Sequence, residues 1–209
     1  MLLNTKRVWI VMLALFVFCL LCYDAAWQEK MQTKLSCLGK LRQAGVAVTQ
    51  AKQIMQESKC FPVRATRSGE SWGFEDGYGA KRTYGGDRQH EGIDIMAIPD
   101  QPGNLQVVAV CDGVIEQKGW LRLGGYRIGI RSANGLYYYY AHLDHYAKGI
   151  KTGDRVRAGQ CIGYVGNTGY GKEGTRGKFA SHLHFGIYYD TAQGETSLNP
   201  YPLLQYLED

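Results

Sequence analysis

The sequence lacks several features that would place it quickly. It has no large surplus of either charge. There are 24 basic and 19 acidic residues, and setting aside Lys6 and Arg7, which precede an apolar run, leaves 22 against 19. That balance offers no cationic stripe for a nucleic acid, only mild attraction for an anionic polymer. Glycine is abundant at 27 of 209 but has no G-x-y period, so collagen is excluded. No solenoid or propeller repeat is present. Strands do not alternate with long helices, which argues against a parallel α/β sheet. The four cysteines outside the apolar run, Cys37, Cys60, Cys111 and Cys161, contain no C-x-x-C pair and suggest no thiolate zinc site. Histidine is scarce, with five residues. What is there is ordinary for a globular chain: 45% hydrophobic and 21% charged residues exclude disorder as the overall class. A length of 209 residues favours one folded domain with attachments.

The apolar run Val8 to Tyr23 follows Lys6 and Arg7 and precedes Asp24. It reads as a charged segment followed by a hydrophobic one, and flanking leucines, alanines and Trp27 extend it towards spanning length. Basic residues before it and an acid after it place the N-terminus inside the cell. Cleavage needs small residues in an A-x-A arrangement, and the candidate sites put Tyr23 or Asp24 at its first position, so residues 1–23 are expected to form an uncleaved signal anchor; a cleaved signal and secretion are the alternative. Cys19 and Cys22 follow Phe18 and Leu21 where a lipoprotein signal needs a small residue. In residues 24–62, Trp27, Met31, Leu35, Leu38 and Leu41 recur near a 3.6-residue period. Gly45 punctuates the pattern and Pro62 blocks its continuation, which predicts an α-helical hairpin or stalk.

From residue 63 to 209 the pattern changes to short apolar or alternating runs between glycine-rich turns, predicting a mainly β, antiparallel domain. Asn134-Gly135 is the strongest hairpin signal. Two segments resemble each other: one holds Asp112-Gly113-Val114, the other runs from Gly153 to Gly163. Such turns look like the rims of a barrel-sandwich hybrid, here duplicated. A biotin- or lipoate-carrier module shares such turns but needs a lysine displayed at a hairpin tip, and none is present. Cys111 with Cys161, and Cys37 with Cys60, are one of three possible disulfide connectivities in an exported chain.

Chemistry concentrates in the histidines. His90 and Asp94 lie in HEGID, His142 in YYYYAHL, and His182 and His184 in HLH. On strands, i/i+2 and i/i+4 residues share a face, so each pair projects together. Two imidazoles and a carboxylate with a position left for water are a catalytic zinc set, since structural sites use four protein ligands. Bound water would then have a pKa near ~7, and the remaining imidazoles suit proton transfer and oxyanion stabilisation. Spacing does not say which of His182 and His184 would hold the metal. His145 belongs to no motif and reads as a surface turn residue. Of Tyr137 to Tyr140, strand alternation predicts two lining a groove and two in the core.

HEGIDI, YYYAHL and SHLHFG resemble the three signature blocks of the lysostaphin-like (LytM-type) zinc endopeptidases, which cut peptidoglycan peptides. The resemblance covers roughly residues 70–200. It implies His90, Asp94 and His184 as ligands of one Zn2+, His142 and His182 as catalytic residues, and Asn167, Thr168 and Tyr170 as substrate contacts. It also implies a peptidoglycan substrate, hydrolysed at stem peptides or cross-bridges by a domain held outside the membrane. Two departures stand out. Gly186 replaces an acidic residue after H-L-H-F, and the glycine-rich loop Gly169 to Lys178 is long. Both bear on the groove and the bond cut. The competing function is a catalytically silent scaffold of cell-wall morphogenesis or sporulation, which the presence of all five site residues counts against.

Overall fold

The computed structural model describes residues 5–192 and 194–208, with only the helical backbone at 5–7, so the charges of Lys6 and Arg7 lie outside the described side chains. Helices α1 (Thr5–Gln43) and α2 (Val48–Glu57) come first and α3 (Tyr201–Glu208) comes last. Between them lie β1 (Val63–Arg64), β2 (Ser71–Phe74), β3 (Lys81–Arg82), β4 (Arg88–Gln89), β5 (Ile93–Ile98), β6 (Gln106–Val108) and β7 (Gly113–Leu121). They continue with β8 (Gly125–Arg131), β9 (Tyr137–Tyr146), β10 (Arg155–Val156), β11 (Cys161–Val165), β12 (His182–Thr191) and β13 (Gly194–Leu198).

α1 is continuous across Tyr23 and Asp24, because no glycine or proline interrupts it before Gly39. At 1.5 Å per residue it is about 58 Å long. It is long and apolar enough to cross a membrane, and the side chains from Val8 to Tyr23 are exposed. The helix ends in a Schellman motif. Gly45 takes φ +87°, its N–H bonds the Arg42 carbonyl, and the Val46 N–H bonds the Leu41 carbonyl. That motif turns the chain into α2, whose Ala51, Ile54 and Met55 are buried with Cys37 and Leu41 of α1. α1 packs on α2 and α3, and the residues that α1 and α2 bury belong to the same core cluster as those of the sheet.

Every strand pairing described is antiparallel. The main sheet runs β1-β6-β11-β9-β12-β5-β2; β8 pairs with β9 and β7, β10 with β7, and β13 with β12. The two look-alike segments meet, with Arg155 opposite Val114 and Val156 opposite Gly113. The Asn134-Gly135 turn joins β8 to β9, but around a Ser132–Leu136 closure with Gly135 at φ +90°, one residue longer than a two-residue hairpin.

The central strands separate core from site by simple alternation. Ile93 and Ile95 of β5, Leu183, Phe185 and Ile187 of β12, and Tyr138 and Tyr140 of β9 are fully buried. Asp94, His184, Tyr137 and Tyr139 fall between them on the other face. Each aliphatic or aromatic side chain removed from water contributes roughly 1.5–3 kcal/mol, so one face anchors what the other displays. Phe185, packed on Tyr138 and Tyr140, is central to this. Phe185→Ala is expected to cost about 3–5 kcal/mol of folding stability, read as a lowered denaturation midpoint of the full chain in detergent.

All six cysteines are free thiols, so neither Cys111 with Cys161 nor Cys37 with Cys60 is bridged. Cys161 stands opposite Val108 rather than Cys111, which lies three residues beyond the register. Cys37 is buried in the core, whereas Cys60 directs its thiol to the Ala109 carbonyl.

Candidate active site

Two chain segments converge on one point, and a third, carrying His142, lies beside it. His90 Nε2 lies 3.0 Å from Asp94 Oδ1 and 2.8 Å from His184 Nδ1, and His184 Nδ1 lies 3.0 Å from Asp94 Oδ1. His90 sits just before β5, Asp94 on it, and His184 directly opposite Asp94 on β12. Gly92 makes this approach possible. A Cβ there would lie 2.5 Å from the Phe185 carbonyl oxygen and 2.8 Å from the His184 ring, so no larger residue fits between the two strands without moving the imidazole.

Backbone carbonyls set the histidine tautomers. His90 Nδ1 donates to Gly77 O (2.9 Å), His182 Nδ1 to Ala180 O (2.8 Å) and His142 Nδ1 to Thr168 O (2.8 Å). Each neutral ring then carries its proton on Nδ1 and presents a bare Nε2. The rings of His142 and His182 lie 4.7 Å apart, and His182 Nε2 is 3.7 Å from Asp94 Oδ1.

His142 reaches this face only through a distortion. Ala141 is opposite His184, so alternation would send His142 to the core. Between Ile128↔Tyr140 and Tyr126↔Leu143 the register shifts, leaving Ala141 and His142 against Arg127 alone. This β-bulge, with His142 at φ +61°, turns the imidazole towards the site.

Electrostatics complete a ligand-competent set. Burial would raise the Asp94 carboxyl, but the His184 and His90 rings, each within 3.0 Å of its Oδ1, outweigh it and hold the group well below the usual carboxylate range. Burial lowers His184 and His182, and pushes His142 well down. At neutral pH the site therefore offers the Asp94 carboxylate and neutral imidazoles at His142, His182 and His184, the forms that bind a divalent ion. Zinc bound tetrahedrally at about 2.0–2.1 Å sets its ligands about 3.3 Å apart. The His90–Asp94–His184 triangle meets that by opening about half an ångström at most, so the donor set fits zinc. The second carboxylate oxygen, Asp94 Oδ2, accepts from Arg82 Nη2 at 2.8 Å.

The site lies in a cleft of about 750 Å³. Tyr137 and Tyr139 line it while Tyr138 and Tyr140 fill the core, as alternation predicts. The hairpin of β3 and β4 reaches over it. Tyr84 stacks on Tyr170 at 4.2 Å and donates to its carbonyl at 2.7 Å. Arg82, Tyr84, Arg88 and Phe179 were not singled out from the sequence, and no spacing pattern marks them.

Of the three expected groove residues, Tyr170 lines the cleft. Thr168 does not, being fully buried: its hydroxyl donates to Leu143 O at 2.7 Å and accepts from Tyr126 N at 3.1 Å, while its carbonyl holds His142. Asn167 is not among the residues lining the cleft either; its side chain accepts from the Gly177 N–H and ties its own loop together. His145 is exposed, but on β9 rather than a turn, paired with Asp144 at 2.7 Å and stacked on Tyr164.

The model of Peptidase family M23 matches residues 88–200, which contain all five converging residues. The chain belongs to Peptidase family M23. Among its relatives in that family, the L-Ala–D-Glu endopeptidase of Bacillus subtilis (strain 168) is 50% identical over 148 residues, covering 71% of this chain and 43% of that protein. The glycyl-glycine endopeptidase ALE-1 of Staphylococcus capitis is 36% identical over 118 residues, 56% of this chain and 29% of the relative. This M23 chain thus spans less than half the length of these curated relatives. A crystal structure of a lytM protein from Ruminococcus gnavus ATCC 29149 superposes with a TM-score of 0.71 at 47% identity, covering 77% of this chain and 64% of that one. The similarity supports the LytM-type grouping and the mainly antiparallel β architecture.

Proposed function

We propose that this chain is a membrane-anchored, extracytoplasmic zinc endopeptidase that hydrolyses peptidoglycan peptides. In this reading His90, Asp94 and His184 hold one Zn2+, and His142 and His182 move protons. The observation that carries it is the 2.8–3.0 Å triangle of donor atoms beside two further imidazoles with bare Nε2 atoms. Bound there, zinc would supply a Lewis acid for the scissile carbonyl and make a water usable as a nucleophile near neutral pH.

The chain's own residues do the rest. With Nδ1–H tied to a carbonyl, His182 or His142 accepts a proton at Nε2 and becomes a donor towards the developing oxyanion or the leaving nitrogen. The Asp94 carboxylate beside His182 steadies that cation. The water oxygen ends on the acyl carbon, the C–N bond breaks, and the proton passes to the amine. Arg82 and Gly77 fix the orientation of Asp94 and His90. The exposed apolar stretch of α1 would anchor the chain, with the β domain outside. The stem-peptide bond between L-Ala and D-Glu is the first candidate, supported by the higher identity to the relative named for that bond than to the one named for glycyl-glycine bonds.

The test is digestion of purified walls of varied chemistry by the full chain in detergent. Released fragments are sequenced by mass spectrometry and metal is measured on the same sample. New peptide termini and about one zinc per chain are expected. A wild type that releases nothing and matches His142→Ala would leave a silent scaffold.

Thr168→Val offers a finer check. It removes both hydroxyl bonds under the His142 carbonyl anchor, and should slow hydrolysis about 10–100-fold with zinc content unchanged. Thr168→Ser should restore most of the rate.

A further inference from the structure

We propose that Arg127 is the specificity residue of this cleft and binds a free carboxylate of the substrate next to the scissile bond. The inference rests on the peptidase reading of the site and names the substrate class it prefers: acidic peptides over uncharged glycine bridges.

Position is the first argument. Because of the bulge in β9, Arg127 of β8 faces Ala141 and His142, and Ala141 faces His184 of β12. Arg127, Ala141 and His184 thus form one row across three strands on the cleft face. Adjacent strands lie about 4.8 Å apart, so the ends of the row are about 10 Å apart at the backbone. The methyl of Ala141 between them leaves room for a peptide laid across the strands. A substrate with its reacting carbonyl at the His184 end brings a group on the neighbouring residue within reach of a long guanidinium side chain.

Unmet hydrogen-bonding capacity is the second argument. Five buried side-chain nitrogen or oxygen atoms among the described residues have no hydrogen-bond partner, and three belong to cleft arginines: Nε and Nη1 of Arg127 and Nε of Arg88. Arg127 keeps one bond, from Nη2 to Gln117 Oε1 at 3.2 Å. A buried donor without an acceptor costs roughly 1–3 kcal/mol, more when charged, and a carboxylate in the cleft would supply the acceptor that Arg127 lacks. The acids nearby are committed elsewhere. Glu195 accepts from Arg131 at 3.1 Å, and Glu91 accepts from the Tyr188 hydroxyl at 3.3 Å. Arg127 itself lines the cleft together with Tyr137 and Tyr139.

Substrate chemistry is the third. A glutamate whose chain continues through one carboxyl keeps the other carboxyl free, on the carbon bonded to the scissile nitrogen. Glycine bridges carry no such group. A carboxylate in that position would accept from Arg127 through short, charge-assisted bonds.

The test measures binding, so it does not depend on turnover. Two synthetic peptides, L-Ala-γ-D-Glu-L-Lys with a free α-carboxylate and the same peptide with an α-amide, are titrated against the full chain in detergent carrying His142→Ala to prevent cleavage. The carboxylate form should bind about tenfold tighter or more, the scale of a hydrogen bond to a charged group. Adding Arg127→Gln should bring the ratio to within about twofold. Arg127→Lys, which keeps the charge without the planar fork, should give an intermediate ratio and serves if the glutamine variant does not fold. Equal binding of the two peptides, no binding of either, or a full preference kept by the arginine variants overturns the proposal. Wall digestion by wild type with equal peptide affinities would sink this inference alone, and a clear carboxylate preference without wall digestion would sink the hydrolase reading alone.

Discussion

Replacing His184 by alanine should abolish wall hydrolysis and strip the metal together. The reason is geometric. His184 Nδ1 is one corner of a triangle whose other corners, His90 Nε2 and Asp94 Oδ1, lie within 3.0 Å of it. The two ligands left, one just before β5 and one on it, do not make a closed face for a tetrahedral ion. Residues that only orient ligands already cost about 10–100-fold in metal affinity when changed, so loss of a ligand itself should exceed that. The expected result is below about a tenth of an equivalent of zinc per chain after dialysis, and fragment release at background. Stability should not collapse in parallel, because the side chain faces the cleft while its neighbours Leu183 and Phe185 hold the strand in the core. A variant that kept full zinc and full activity would remove His184 from the site. One that simply unfolded would show a lost melting transition, and Asp94→Asn, which preserves shape and the Arg82 contact, would then replace it.

Much of this site can be read from residue order because it is built on alternation. In HLH the intervening Leu183 goes inward, so both histidines must go outward, and the same rule divides Tyr137 and Tyr139 from Tyr138 and Tyr140. HEGID works for a local reason as well: Gly92 is where the His184 ring meets the backbone. What could not be read depends on departures from regularity and on contacts between distant segments. Strict alternation puts His142 in the core, and nothing in its own residue type announces a bulge with φ +61°. Thr168 in a polar, glycine-rich loop looks like a substrate contact, yet its hydroxyl is consumed by backbone groups of β8 and β9 that lie 25 to 42 residues away. Arg82 bonds Asp94 through a two-stranded hairpin too short to give a periodic signal. The anchor expected over residues 1–23 and the first part of the stalk expected from residue 24 share one helix, because backbone continuity carries α1 on to Gln43.

The converse experiment to ligand removal is His142→Ala, where activity and metal should part company. His142 takes no place in the donor triangle, so zinc content should stay near one per chain. Its ring lies 4.7 Å from His182 and 6.2 Å from His184 by centroids, close enough to meet a substrate that reacts at the metal face. Burial holds it neutral, and the Thr168 carbonyl holds its proton on Nδ1, so its Nε2 is an acceptor waiting for a proton. Loss of a positioned acid–base or oxyanion-stabilising group costs about 10²–10⁴-fold in rate, which should fall on kcat with a smaller change in KM, because the ring acts on charge that develops only as the amide is attacked. The strained φ sharpens the prediction. At φ +61° alanine is no more comfortable than histidine, so the bulge must be maintained by the Gly124 carbonyl accepting from the residue 142 N–H at 2.7 Å and by the Tyr126 and Thr168 contacts around it. Asparagine tolerates that backbone region better than alanine, so His142→Asn separates the two roles. If it melts like wild type, binds zinc and is as slow as His142→Ala, the imidazole itself is needed. If it recovers the rate, the position matters only for the shape of the strand, and proton transfer falls to His182 alone.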